Sequence, residues 1–355
     1  MFWNLALVAT SEWSIWHFIA RNWAMMSIIA TVIAMITIPS LVLGRYVRIM
    51  LNILKDTPPP MSMLTMDFER LEGQIVRFRS FDGTSLRGMF LAGDRTGGPA
   101  KGMILFCHEF ASDMYSCARY CTPLLAAGYD VFTFDFRGHG ESSRQEDYQP
   151  RQWASDREVD DVFGAVAFVE DYLESQGRPV ELGIFGMSRG AAAALVACTR
   201  NPAVKAIVTD GLFSTDLTLE GFMRRWAHIF AKVRFVYENH PDAFWRFLRW
   251  LLFLFARRTF RCRFPSVRKV LAKMLPRPML MIHGERDSYI PTEQARFLYS
   301  VASEPKSLWI VAQAKHNQSM IVEPAEYAAR IVTFFDHYLA GIRNDAAAKT
   351  VAKGA

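Results

Sequence analysis

The sequence predicts an α/β fold: a mostly parallel central sheet with helices on both faces, a helical insertion, and an N-terminal transmembrane helix. Three observations lead there. Strand-like and helix-like runs alternate from residue 74 onward. Two apolar runs, GMILFCH (102–108) and PMLMIHG (278–284), have no polar face. VELGIFGMSRGAAAAL (180–195) sets a glycine-flanked turn between a strand and an alanine-rich helix. Continuous apolar strands suit a sheet covered on both sides, and parallel strands need crossovers that are usually helical.

The composition is that of a folded chain. Of 355 residues, 51% are apolar and 21% charged, which supplies a large core and excludes a disordered chain. Cys107, Cys117, Cys121, Cys198 and Cys262 form no C-x-x-C pair. An odd number without paired spacing predicts reduced thiols packed in a core, hence a domain on the cytosolic side.

Residues 1–60 are expected to be a membrane anchor and linker. Within them, 22–44 carry no charge. As a helix they span about 34 Å, enough for a hydrocarbon layer of about 30 Å. Trp23 marks one end; Arg45, Arg48 and Lys55 crowd the other, and Pro39 lies inside. Basic residues favour the cytoplasmic side, so the remainder of the chain is expected there, on a single-pass anchor. Residues 1–20 contain Glu12 and His17 and read either as an interfacial helix or as a poor second span. Thr57-Pro58-Pro59-Pro60 reads as a stiff linker.

The globular part begins with two β runs, 74–80 and 85–93, across a turn at Asp82-Gly83. The strand at 102–108 ends in His108-Glu109-Phe110. A helix (114–127), the strand YDVFTFDF, the turn Arg137-Gly138-His139-Gly140-Glu141-Ser142 and a second helix (156–174) lead to Gly186-Met187-Ser188-Arg189-Gly190. In such a G-x-S-x-G turn the serine hydroxyl stands exposed at a helix N-terminus, where N–H groups face any negative charge that develops. Asp160 and Asp161 read as a solvated or capping pair, and His108 and His139 as residues that order turns.

The order of these motifs resembles the α/β-hydrolase superfamily, and is most similar to its serine aminopeptidase and monoacylglycerol-lipase-like branch. The likeness covers about residues 74–212 and 276–340. It implies two core parts, 61–212 and 276–341, with a cap inserted at 213–275; the Ala- and Lys-rich stretch 342–355 reads as a disordered tail. It implies Ser188 as nucleophile, and the backbone N–H groups of Phe110 and Arg189 as oxyanion donors. Glu109 stands where the family usually has glycine, and an ionised carboxylate there would oppose the oxyanion. The loop Glu285-Arg286-Asp287-Ser288-Tyr289-Ile290-Pro291 resembles the family's acid loop and implies Asp287, with Glu285 as competitor. Ala314-Lys315-His316-Asn317 resembles its histidine loop and implies His316 as base.

Chemistry gives the same three residue types a joint purpose. A serine hydroxyl is a poor nucleophile until a neutral imidazole takes its proton, and a carboxylate orients that imidazole and stabilises its cation. The reading is a serine hydrolase, an esterase or lipase-like enzyme acting on lipid-like or acyl esters. A peptidase, an amidase, an acyltransferase and a non-catalytic membrane-tethered binding protein remain alternatives. No cofactor and no metal is expected. Between Phe222 and Leu275, thirteen Lys and Arg face two acidic residues among many aromatics. That stretch is expected either to solvate the outside of the cap or to touch membrane lipid. No nucleic-acid motif accompanies the charge.

Overall fold

The computed structural model describes residues 3–56, 70–95, 98–230, 238 and 240–342. The linker at 57–60 and the tail from 343 onward lie outside the described residues. The chain divides into two units, Met1–Leu54 and Lys55–Ala355.

The first unit is one helix, α1 (Trp3–Asp56), which runs through Pro39 and through the stretch expected to be a separate N-terminal segment. Residues 3–20 therefore continue the helix. Its Ala20–Lys55 portion contains an 18-residue stretch with a mean hydropathy of 2.3 and is long and apolar enough to cross a membrane, and Ile33, Ile36 and Leu41 are exposed along it.

The second unit holds an eight-stranded sheet. In chain order its elements are β1 (Gln74–Arg79), β2 (Ser85–Leu91), β3 (Met103–Cys107), α2 (Cys117–Ala126), β4 (Asp130–Phe134), α3 (Asp156–Ser175), β5 (Leu182–Met187), α4 (Arg189–Ala197) and β6 (Val204–Asp210). Next come α5 (Thr215–Phe230), α6 (Asp242–Phe260), α7 (Val267–Leu271), β7 (Met279–Gly284), α8 (Thr292–Val301), β8 (Lys306–Val311), α9 (Ser319–Val322) and α10 (Pro324–Tyr338). The strands lie in the order β1-β2-β4-β3-β5-β6-β7-β8. The β1–β2 hairpin turns at Asp82-Gly83, where Gly83 has φ 88° and the Asp82 carboxylate accepts from the Thr84 N–H and hydroxyl. β2 is antiparallel to β4, and all pairings from β4 to β8 are parallel.

Alternation along each buried strand divides the core in two. Leu182 and Ile184 of β5 pack with α3 and α4, while Phe185 and Met187 face the other way, toward α2 and α10. All five cysteines are buried and unpaired. The insertion between β6 and β7 is helical, but α7 belongs with the core: Val267 and Leu271 join the same apolar cluster as α4. Because β3, β5, β6, β7 and β8 run in parallel, the loops bearing His108, Ser188, Gly211, Asp287 and His316 all leave from one edge of the sheet. In parallel sheets that edge is where ligands bind.

One expectation is overturned. Asp161 is not solvated: it is fully buried and forms a forked pair with the equally buried Arg137, at 2.6 Å and 2.9 Å. Arg137 also reaches Asp82 at 2.7 Å and Ser80 at 2.9 Å, tying the hairpin to α3. Helical spacing says that Asp160 and Asp161 point differently, but only the distant Arg137 decides which one turns inward. Removing one partner of a buried pair leaves an uncompensated charge, which costs about 3–5 kcal/mol. Asp161→Asn is therefore expected to lower Tm by roughly 10 °C, while Asp160→Asn changes it little. A thermal melt that treats the two variants alike would show that the buried pair contributes nothing special.

Candidate active site

The turn from β5 into α4 forces Ser188 to φ 49° and ψ −113°, a conformation that side-chain-bearing residues rarely adopt. Two contacts hold it there. The Ser188 N–H donates to the Asp210 carbonyl at 2.8 Å, and the Ser188 carbonyl accepts from Ala192 N–H at 3.1 Å. The flanking glycines are needed because backbone lies where a Cβ would go. At Gly186 it would sit 2.5 Å from Ala191 Cα, and at Gly190 2.3 Å from the Cys107 carbonyl oxygen. The second clearance lets α4 press directly against the end of β3.

The structure brings the three expected side chains into one relay. Ser188 Oγ is 2.8 Å from His316 Nε2, and His316 Nδ1 is 2.5 Å from Asp287 Oδ2. The other carboxylate oxygen of Asp287 accepts from the N–H groups of Tyr289 at 2.9 Å and Ile290 at 2.7 Å. Burial works to raise the Asp287 carboxyl, but His316, His283 and the Ile290 N–H outweigh it and hold the group below its ordinary value. It is therefore a carboxylate at neutral pH, able to orient the imidazole through Nδ1. Glu285 is exposed and accepts from Gln313 N–H, away from the relay.

Phe110 and Arg189 lie at the same place, with the Arg189 guanidinium 5.2 Å from the Phe110 ring centre. Among the described residues, neither backbone N–H has an acceptor. Arg189 is the first residue of α4, whose leading N–H groups have no partners inside the helix. Ala111, with φ 58°, bends the loop just after Phe110.

The Glu109 carboxyl is buried, with the Ser112 hydroxyl and Arg119 as its polar surroundings, and one of its oxygens has no hydrogen-bond partner. Burial raises it above the ordinary glutamate value despite those neighbours. The shift favours the protonated form, which opposes an oxyanion far less than a carboxylate would.

His108 and His139 order loops. Phe136 N–H donates to His108 Nε2 at 3.2 Å, which leaves Nδ1 to donate to the Glu109 carbonyl at 2.6 Å. Burial pushes the His139 imidazole down to about 3, so it is neutral, and its Nε2 accepts from Arg189 at 3.3 Å. The Arg189 side chain, fully buried between the Phe110 and Phe136 rings and 3.7 Å from Glu158, was invisible as an electrostatic feature in the sequence.

Sequence reasoning also missed Asp210. Its carboxylate is buried at the end of β6 and accepts from Tyr327 at 3.1 Å and Ser319 at 3.2 Å. The only sequence signal was a charged residue ending an apolar strand. The adjoining Gly211 has φ 67°, and a Cβ there would lie 3.0 Å from His316 Cε1. Beside His316 stands an aromatic wall: Tyr289 meets the imidazole edge-on at 5.5 Å and packs against Trp153, Phe213 and Phe222.

Burial raises the Asp210 carboxyl to about 7. It thus keeps its proton in the native state over a range, from about pH 4 to 7, in which the unfolded chain has released it. Stability from this group is complete below about pH 4 and is lost as the pH rises toward 7, by on the order of 4 kcal/mol at most. Asp210→Asn, neutral throughout, is expected to gain in Tm relative to the wild type between pH 4 and pH 8. A Tm difference that is the same at both pH values would overturn this account.

The chain is similar to several known proteins. The protein YfhR of Escherichia coli strain K12 is 27% identical over 246 residues, 68% of this chain and 72% of that protein. The lysophosphatidylserine lipase ABHD12 of Danio rerio is 29% identical over 189 residues, 52% of this chain and 42% of its own. Among solved structures, the Pyrococcus furiosus esterase Pf2001 shares the fold with a TM-score of 0.55 at 21% identity, covering 80% of this chain and 100% of that one. The sequence model of the alpha/beta hydrolase family matches residues 102–330, well over half of the chain. The chain belongs to the alpha/beta hydrolase family.

Proposed function

We propose that this protein is a membrane-anchored serine hydrolase that cleaves lipid-like acyl esters, on the monoacylglycerol-lipase-like side of the family. The observation that carries the reading is the relay of 2.8 Å and 2.5 Å from Ser188 through His316 to Asp287, built on a strained serine at a helix N-terminus. Ser188 Oγ attacks the ester carbonyl carbon while His316 Nε2 takes its proton. Negative charge gathers on the carbonyl oxygen, facing the free N–H groups of Phe110 and Arg189. As the C–O bond breaks, His316 returns the proton to the leaving alcohol. Water then adds to the acyl-enzyme by the same steps in reverse order, freeing the acid and Ser188.

Two features support a lipid-like substrate. The wall beside His316 is aromatic, and Phe222 from that wall also lines a groove of about 300 Å³ with Leu217, Thr218, Arg225, Pro291 and Gln294. The apolar α1 supplies the tether, and the three basic residues after its uncharged stretch favour a hydrolase unit on the cytoplasmic side.

The full-length protein in detergent is expected to hydrolyse p-nitrophenyl esters with a rate that grows with acyl length, and Ser188 is expected to take a fluorophosphonate label. Ser188→Ala is expected to lower kcat by at least about 10⁴-fold, and Asp287→Asn by roughly 10³- to 10⁴-fold. Faster turnover of aminoacyl p-nitroanilides than of esters would make the protein a peptidase. Turnover only with an added acyl acceptor would make it a transferase. Ester hydrolysis that survives Ser188→Ala, or a serine that takes no label, would overturn the mechanism.

A further inference from the structure

α6 is apolar on two opposite sides. Trp245, Leu248, Leu252, Ala256 and Phe260 form its buried stripe. Phe247, Trp250 and Leu254 follow one another at spacings of three and four residues on the opposite side, exposed to 47%, 58% and 37%. The Phe247 and Trp250 rings stack at 5.9 Å. A surface helix normally turns its apolar stripe to the core and a polar face outward, so an outer face of aromatic rings and leucine lacks the cover its chemistry calls for.

Charge identifies the cover. Arg246, Arg257 and Arg258 are exposed on either side of the aromatic stripe and, among the described residues, have no ion-pair partner. Other arginines of the insertion are engaged: Arg224 and Arg249 pair with Glu220, and Arg268 with Asp216 at 2.8 Å. Aromatic rings flanked by free guanidinium groups match the depth and charge of anionic headgroups over acyl chains.

We propose that the outer face of α6 docks on an anionic bilayer surface, with Trp250 at headgroup level and Arg246, Arg257 and Arg258 on lipid phosphates. This deepens the proposed function, since it rests on the tether there assigned to α1 and adds a second contact with the same bilayer. Such a contact raises the local concentration of the insertion at the bilayer without strengthening any single interaction.

The native thiols are all buried, so a nitroxide reagent can be directed to introduced cysteines. Full-length Trp250→Cys, Leu254→Cys, Ile33→Cys on α1 and Phe81→Cys on the exposed β1–β2 hairpin are labelled singly. They are reconstituted into phosphatidylcholine vesicles with and without phosphatidylglycerol at about one lipid in three. At positions 250 and 254, the ratio of oxygen to nickel-chelate collisions is expected to rise several-fold over position 81, only with anionic lipid. The rise is expected to vanish at about 1 M salt, where the screening length is about 3 Å, and in Arg257→Gln/Arg258→Gln. Labels at 250 and 254 that stay as accessible to nickel as position 81 would overturn the proposal. Spin–spin broadening at 250 without a gain in oxygen would also overturn it, in favour of contact between two copies. The label at 33 judges the anchor separately: a nickel-accessible position 33 would refute the membrane span whatever position 250 does.

Discussion

The site depends on a single backbone constraint, the positive φ of Ser188 where β5 stops and α4 begins. Such a conformation is unfavourable in isolation and persists only where its surroundings over-determine it. Here the surroundings are close backbone approaches on both sides, possible because residues 186 and 190 have no Cβ. The strained turn presents Oγ at the sheet edge and aims the first N–H groups of α4 past it. The same packing brings β3, and so Phe110, beside Ser188. The proposed nucleophile, the proposed oxyanion donors and the helix dipole are consequences of one turn.

The remaining members arrive by topology. Asp287 and His316 end β7 and β8, two and three strands away from β5 in the sheet. Neither lies near Ser188 in sequence, yet parallel strands in register bring them to the same edge. Buried charge then holds the loops in place. Arg137 ties the hairpin to α3 through Asp82 and Asp161, and Arg189 is held by Glu158, His139 and two aromatic rings. Buried networks of this kind specify an arrangement, because each charge has few alternative partners once water is excluded.

The proposed function at a bilayer draws on both units of the chain. The uncharged stretch of α1 and the aromatic, arginine-bordered face of α6 are suited to different depths of a lipid layer, one to the hydrocarbon and one to the headgroups. The aromatic wall next to His316 connects to the insertion through Phe222, so the insertion proposed to face lipid is continuous with the lining beside the proposed base.

Much of this was legible in the residues themselves. Alternating apolar runs and helical periods carry the strand and helix pattern because hydrophobic burial is a local property of each element, and the G-x-S-x-G turn announces itself through glycine. The candidate acid and base were legible only through the family resemblance of their loops. The fate of single polar residues was not legible: Asp161 read as solvated or capping and proved buried in an ion pair, while Asp210 drew no notice and proved buried. Whether residues 3–20 continued α1 was likewise open until the helix was seen to run through. The sequence by itself determined which segments are strands, helices and turns, and where the apolar and basic stretches fall. Only the tertiary structure decided which polar groups meet, because desolvation and partner choice depend on neighbours that are far apart in the chain.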